Sequence, residues 1–177
     1  MPARRALASE DEIRQTSVLV GAVAGLKQAN DYLAGVRAPD ETSALDVQQA
    51  IGLNLTQMGS AQQMLCDRLE KESQVAATAG DAAAKAAKHK AAEESLGEAD
   101  RLLRQATDTL LPVVKKDPNR AQAARTLVDL CVDRGDRTAL AAAREAILAL
   151  EDPPPAAVVR LLRAEFSGVG KLAEADD

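Results

Sequence analysis

The chain predicts an all-α fold, and three observations carry that prediction. Of its 177 residues, 46% are hydrophobic but only 1% aromatic, Tyr32 and Phe166 standing alone in that class. Alanine, leucine, glutamine, glutamate, lysine and arginine dominate, and all lose little on entering a helix, whereas strand formers are scarce. Leucines also recur at sevenfold spacing in separate stretches, the period of helices packed along a seam. A core of leucine, valine, isoleucine and much alanine calls for closely approaching helices. The length allows one domain, or two small ones, and leaves no room for a separate large catalytic domain.

Residues 1–8 are expected to form a flexible N-terminus. Ser9 and Glu12 make the Ser-x-x-Glu pattern of a capping box, so a first helix is predicted over about 9–35. Leu19, Leu26 and Leu33 share one row of that helix, and Thr16, Val23 and Asn30 interleave. In such a seam an asparagine selects the register in which its amide finds a partner. The most apolar stretch, Val18 to Leu26, is nine residues, about half of the ~20 that a membrane-spanning helix needs, so no transmembrane segment is expected. Its Gly21-x-x-x-Gly25 spacing reads instead as a place where another helix comes close. Arg4 and Arg5 are followed by Glu10, Asp11 and Glu12 where a secretory segment would turn apolar, so no signal peptide is expected.

Gly35, Pro39 and Asp40 predict a turn, and Thr42 or Ser43 is placed to cap a second helix reaching about residue 75. Its packed face runs through Ile51, Leu55, Met58, Gln62, Leu65 and Leu69. From Val47 to Cys66 none of twenty residues is charged, yet eight are Gln, Asn, Thr or Ser, too many for a lipid-facing span. An exposed helix would carry charges on its outer side, and charge depletion marks an interface core. With the uncharged stretch Thr16–Leu26, this implies that more than one side of each helix is covered, either inside the monomer or against another subunit. Gly52 and Gly59 each cost about 1 kcal/mol relative to alanine, a cost that makes sense where a neighbouring backbone packs. The candidate self-association residues are therefore Leu19, Val23, Leu26, Asn30, Gly52, Gly59 and Gln62.

Gly80 and Asp81 offer the next stop and cap, and a third helix is predicted to about residue 116, with Gly97 and Pro112 bending or shortening it. Leu96, Leu103 and Leu110 form one row, completed by Ala92, Ala99, Ala106 and Val113. Short turns joining these helices predict an elongated antiparallel bundle or coiled-coil region over 9–116. His89 lies in the row of Leu96 between Lys88 and Lys90, with no cluster of ligating or catalytic partners, and reads as a surface or seam histidine. Lys85, Lys88 and Lys90, followed at once by Glu93, Glu94 and Glu98, read as solvated salt-bridging.

Asp117 and Pro118 supply a capping carboxylate and a proline at the first helical position. Ala121, Ala124, Leu127, Val128 and Cys131 then make one apolar face, which Gly135 ends. Asp136 or Thr138 caps a following helix that turns Leu140, Ala143, Ile147 and Leu150 inward. A last helix over about 155–166 carries Val158, Val159, Leu161, Leu162 and Phe166, and Gly168 and Gly170 lead into an acidic tail, expected to be flexible over 168–177. The stretch "DPNRAQA", Leu127 and the Gly135-Asp136 turn resemble a tetratricopeptide repeat, a family of stacked helix pairs that bind partners on a concave surface. Asp117-Pro118 and Asp152-Pro153 are 35 residues apart, against a family period of about 34. Val128, Cys131, Leu140 and Arg144 depart from the family's small and aromatic positions. The resemblance implies that Gln122, Arg125, Asp129 and Asp133 face a groove and contact a partner; otherwise 117–167 is a generic helical hairpin plus one helix, docked on the bundle.

A net charge of −5 and a pI near 5.0 argue against a nucleic-acid partner. Cys66 and Cys131, far apart and without ligand spacing, read as reduced core thiols of a cytoplasmic protein. There is no phosphate-binding glycine loop, nucleophile motif or two-histidine site, so no catalytic, cofactor-binding or metal-binding residue is expected. Two functions remain. One is a non-enzymatic interaction protein that self-associates as a homo-oligomer and presents its C-terminal helices to a protein partner. The other is a structural subunit of a ring, tube, filament or shell.

Overall fold

Helix-forming stretches and their punctuation divide the chain as the composition requires. The computed structural model describes residues 2–117, 119–150, 152–153 and 155–173, with side-chain surroundings for residues 15–164 of that set. These residues form six α-helices and no strand: α1 (Pro2–Ala34), α2 (Glu41–Thr78), α3 (Ala82–Lys116), α4 (Ala121–Arg134), α5 (Arg137–Leu148) and α6 (Pro155–Ala173).

Several helix ends follow the local chemistry. The Ala84 N–H donates to Asp81 Oδ1 at 2.9 Å and the Ala139 N–H to Asp136 Oδ1 at 3.0 Å, so both aspartates cap as their positions foretell. Gly135 closes α4 in the left-handed conformation, φ 65°, a geometry in which a side chain would be strained. Others differ. Asp40, rather than Thr42 or Ser43, caps α2 by accepting the Ser43 N–H at 2.7 Å. That bond lowers the Asp40 carboxyl pKa from its ordinary value. Asp117 does not cap α4, which starts at Ala121 without a side-chain cap; it accepts instead from the Asn119 N–H and from Arg120 Nε. The Ser9–Glu12 pattern falls inside α1, which begins at Pro2. α3 runs through Gly97 and Pro112, and α6 through Gly168 and Gly170. Met1, Pro118 and residues 174–177 of the expected tail lie outside the described residues, as does the side chain of Phe166.

The chain gathers into two compact units, Met1–Gly35 with Asn54–Arg104, and Val36–Leu53 with Gln105–Asp177. The division thus falls within α2 and α3 rather than at residue 117. In the first unit Leu55, Met58, Leu65 and Leu69 of α2 are buried with Ala92, Ala99, Leu102 and Leu103 of α3. Leu96, expected in that row, is 54% exposed, and Ser95 is buried in its place. A straight α-helix drifts about 20° per heptad from a strict sevenfold row, which carries position 96 off the buried stripe. Leu19 of α1 packs on the cluster of Leu65, Cys66, Leu69 and Ala92.

A polar network links the three helices of this unit. Glu72 accepts from Thr16 Oγ1 at 2.8 Å and from Lys88 Nζ at 2.6 Å. Lys88 therefore bridges helices rather than joining a local ladder. Burial would raise the Glu72 carboxyl, but the Lys88 and Thr16 hydrogen bonds and the charges of Lys88 and Arg68 outweigh it and hold the pKa below its ordinary 4.5. The resulting stability is complete above the unfolded value and is lost as pH falls through the lower folded one. Glu72→Gln should thus cost about 2 kcal/mol at neutral pH, as expected for a hydrogen-bonded charge. Urea titrations at pH 7 and pH 3 should show the gap between mutant and parent closing in acid; a gap unchanged by pH would refute the assignment.

The second unit has the drier core. Leu110, Val113 and Val114 of α3 and Leu127, Val128 and Cys131 of α4 are completely buried, as is Ile147 of α5. Ala123 and Leu130, not Ala121, complete the inward face of α4, and Ala139 and Ala146 join Ala143 on α5. Of the apolar α6 residues, Ala157 and Leu161 are buried, whereas Val159 and Leu162 are about half exposed. Arg120 ties the start of α2 to the α3–α4 turn, reaching Asp46 at 2.6 Å and Asp117 at 3.0 Å. Burial pushes the Cys131 thiol up to about 12, leaving almost no nucleophilic thiolate at neutral pH. Disulfide-exchange reagents at pH 8 should label Cys131 about a hundredfold more slowly in the folded protein than in denaturant. Equal rates would show the site to be open.

Candidate functional site

The seven self-association candidates fall largely on surfaces the chain covers itself. Leu19, Val23, Leu26 and Asn30 are half-buried along one face of α1. The Leu26 carbonyl accepts from Asn54 Nδ2 of α2 at 2.8 Å, so this seam serves the chain's own α2. Asn30 Oδ1 and Gln62 Oε1 are buried without a hydrogen-bond partner among the described residues. Gly52 and Gly59 are buried on α2. A Cβ at Gly52 would lie 2.6 Å from the side chain of Leu110, and one at Gly59 would lie 2.6 Å from that of Leu103. What comes close at these glycines is a leucine side chain of the same chain rather than a neighbouring backbone, apart from the Ala99 carbonyl oxygen 3.4 Å from the Gly59 position. Much of the uncharged α2 stretch is likewise internal, with Asn54, Leu55, Met58, Ala61, Leu65 and Cys66 buried.

What remains open is the other side of α1. Val18 is 70% and Tyr32 76% exposed, Gly21, Gly25 and Gln28 are also exposed, and nothing approaches within 4 Å of where a Cβ would stand on either glycine. Positions 18, 21, 25, 28 and 32 step by three and four, so they form a second coiled-coil stripe, uncharged throughout and facing away from the first. The sequence carries this spacing in plain view. The leucine row read as the seam from the sequence is the one turned inward, and this second row was not singled out there. Beside α1, a groove of about 340 Å³ is lined by Thr16, Val20, Gln62 and Ser95, with Glu94 and Glu98 at its edge.

The C-terminal candidates assemble differently. Arg125, Asp129 and Asp133, four residues apart on one face of α4, line a cleft of about 910 Å³ together with residues of α5 and α6; Gln122 is exposed and lies outside it. Arg160 of α6 enters the cleft with Nη2 2.6 Å from Asp133 Oδ1 and Nε 2.7 Å from Asp129 Oδ1. The first contact is a hydrogen bond; the second is a close ion pair whose N–H is not aligned for one. Arg137, Arg160 and Arg163 also line the cleft, and none was foreseen from the sequence. The spacing of Arg160 and Arg163 on α6 was visible, but the pairing of α6 with α4 is a long-range contact that local pattern does not encode.

No protein-family model, curated protein or solved structure matches this chain. Its chemistry therefore rests on its own residues. Among the described residues no group of three His, Cys, Asp or Glu side chains is placed to hold a metal ion, and no helix is long and apolar enough to cross a membrane. His89 is exposed, with Nδ1 3.1 Å from Glu70.

Proposed function

We propose that this protein is a non-enzymatic assembly protein of the cytoplasm whose long helices form an antiparallel bundle and pair with a second copy through the outward stripe of α1. The observation that carries this reading is the exposed, uncharged row Val18, Gly21, Gly25, Gln28 and Tyr32. A three-four spacing is self-complementary between two copies. Open glycines permit close backbone approach, and burial of the exposed Val18 contributes about 1.5 kcal/mol or more. The stripe covers about two heptads, roughly 22 Å of helix, which favours a weak, concentration-dependent dimer over a permanent one. The α4–α6 region, in which the tetratricopeptide-like reading is retained as part of the proposal, supplies a surface for a different protein.

A second reading, a subunit of a ring, tube, filament or shell, is favoured by one further observation. The groove of Thr16, Val20, Gln62 and Ser95 is a second candidate surface beside α1, and open-ended assembly needs two unlike faces. Light scattering coupled to size exclusion, over a hundredfold range of concentration, tests both. A dimer that dissociates on dilution supports the first reading, and a large regular assembly supports the second. A monomer at every concentration eliminates both.

A further inference from the structure

We infer that the cleft between α4 and α6 binds an acidic, aliphatic peptide segment of a partner protein. The inference rests on the reading of the C-terminal helices as a partner-binding surface and gives that partner a chemistry. The argument begins with charge. The chain carries a net −5, yet this cleft is lined by four arginines and two aspartates. Both aspartates are engaged by Arg160, and among the described residues Arg125 and Arg137 have no acidic partner. An anion brought to the cleft therefore meets guanidinium groups suited to bidentate carboxylate binding, with no free carboxylate among the described lining residues to oppose it.

The spacing of the arginines selects the kind of anion. Arg125 lies in the second turn of α4, and Arg137 begins α5 just beyond its other end. From Arg125 to the end of α4 is about 14 Å at 1.5 Å per residue. An extended peptide of about five residues, at about 3.3 Å each, spans that length. Between the arginines the lining is aliphatic: Val132 and Leu140 are half-buried and Val159 is exposed. Side chains alternating along an extended segment would set carboxylates against the arginines and leucine-like groups against these residues. A volume of about 910 Å³ is near the top of the range of roughly 300–1,000 Å³ usual for ligand pockets. Among the described lining residues none is aromatic, so none offers a face on which a nucleobase could stack.

The test is fluorescence anisotropy on the full chain with a labelled ten-residue peptide of alternating Glu and Leu. Its companions are the same peptide with Gln or Lys in place of Glu, and a ten-nucleotide oligothymidylate. The Glu peptide is expected to bind and to weaken with rising salt. Its affinity should fall at least tenfold in the pair Arg125→Glu with Arg137→Glu, and less in the milder pair Arg125→Ala with Arg137→Ala, with circular dichroism checking that both retain their helices. Equal binding of the Gln or Lys peptide, unchanged binding by the folded double variants, displacement by inorganic phosphate at millimolar concentration, or tighter binding of the oligonucleotide would each overturn it. Light scattering on the same variants keeps the two readings apart. Charge-selective binding without self-association rejects only the α1 stripe; self-association without such binding rejects only this cleft.

Discussion

Gly59→Leu is expected to destabilise the protein by about 3 kcal/mol, a loss in the upper range for overpacking a filled core. A Cβ at Gly59 would stand 2.6 Å from both Cγ and Cδ2 of Leu103 and 3.4 Å from the Ala99 carbonyl oxygen. The obstacle includes the branch point of a buried leucine, not only its tip, so a change of χ2 alone does not clear it. Gly59→Ala isolates the effect. Helix propensity would reward alanine by about 1 kcal/mol, and the clash should cancel or exceed that gain. Leu103→Ala alone should cost about 2–5 kcal/mol by leaving a cavity. In the double variant Gly59→Ala with Leu103→Ala, the new methyl enters that space, so the cost should fall below the sum of the singles by about 1–2 kcal/mol. Gly21→Ala is the control, for nothing lies within 4 Å of its Cβ position and propensity should act unopposed. Urea denaturation of the variants decides the matter: strict additivity, or the same response at Gly21 and Gly59, would remove the packing argument.

Val18→Glu combined with Tyr32→Glu should abolish self-association while leaving the fold intact. Both side chains project from α1 with most of their surface exposed, so the monomer loses little. Pairing two copies would bring four carboxylates into a surface otherwise free of charge, and desolvating them should weaken association by at least about a hundredfold, or 2.7 kcal/mol. The contrasting variant is Leu26→Glu, on the half-buried face of the same helix. It should destabilise folding first, since its carboxylate would replace a leucine whose backbone accepts from Asn54. Sedimentation or light scattering, read beside thermal melts, separates the two outcomes. An unchanged mass for the Val18/Tyr32 pair would dismiss the outward stripe as the pairing surface.

These two experiments also trace where the sequence was legible. Helix limits set by short-range chemistry could be read directly: Asp81 and Asp136 cap, Gly135 turns the chain, and Leu127, Val128 and Cys131 are buried. Where two capping residues stood close together, the choice went astray, because Asp40 reaches the Ser43 amide before Thr42 or Ser43 can act. Asp117 was diverted by Arg120, whose other partner, Asp46, lies on a distant helix. The glycines of α2 announced close contact, but the leucines above them belong to α3, and only the three-dimensional pairing names Leu110 and Leu103. Of the charged residues of the C-terminal cleft, Arg125, Asp129 and Asp133 were named from the sequence; Arg160, which contacts both aspartates, comes from a helix some thirty residues later.

The way the two units divide the chain bears on how it is made. Each unit combines segments from separate parts of the chain, residues 36–53 belonging with 105–177 while 54–104 belong with the N-terminal helix. During synthesis from the N-terminus, the first unit has all its residues once position 104 has emerged, but the early part of α2 must then wait for later translation to deliver its companions. Leu45, buried in the finished protein, is without its core for that interval. A chain stalled in that interval would leave the apolar surface around Leu45 uncovered.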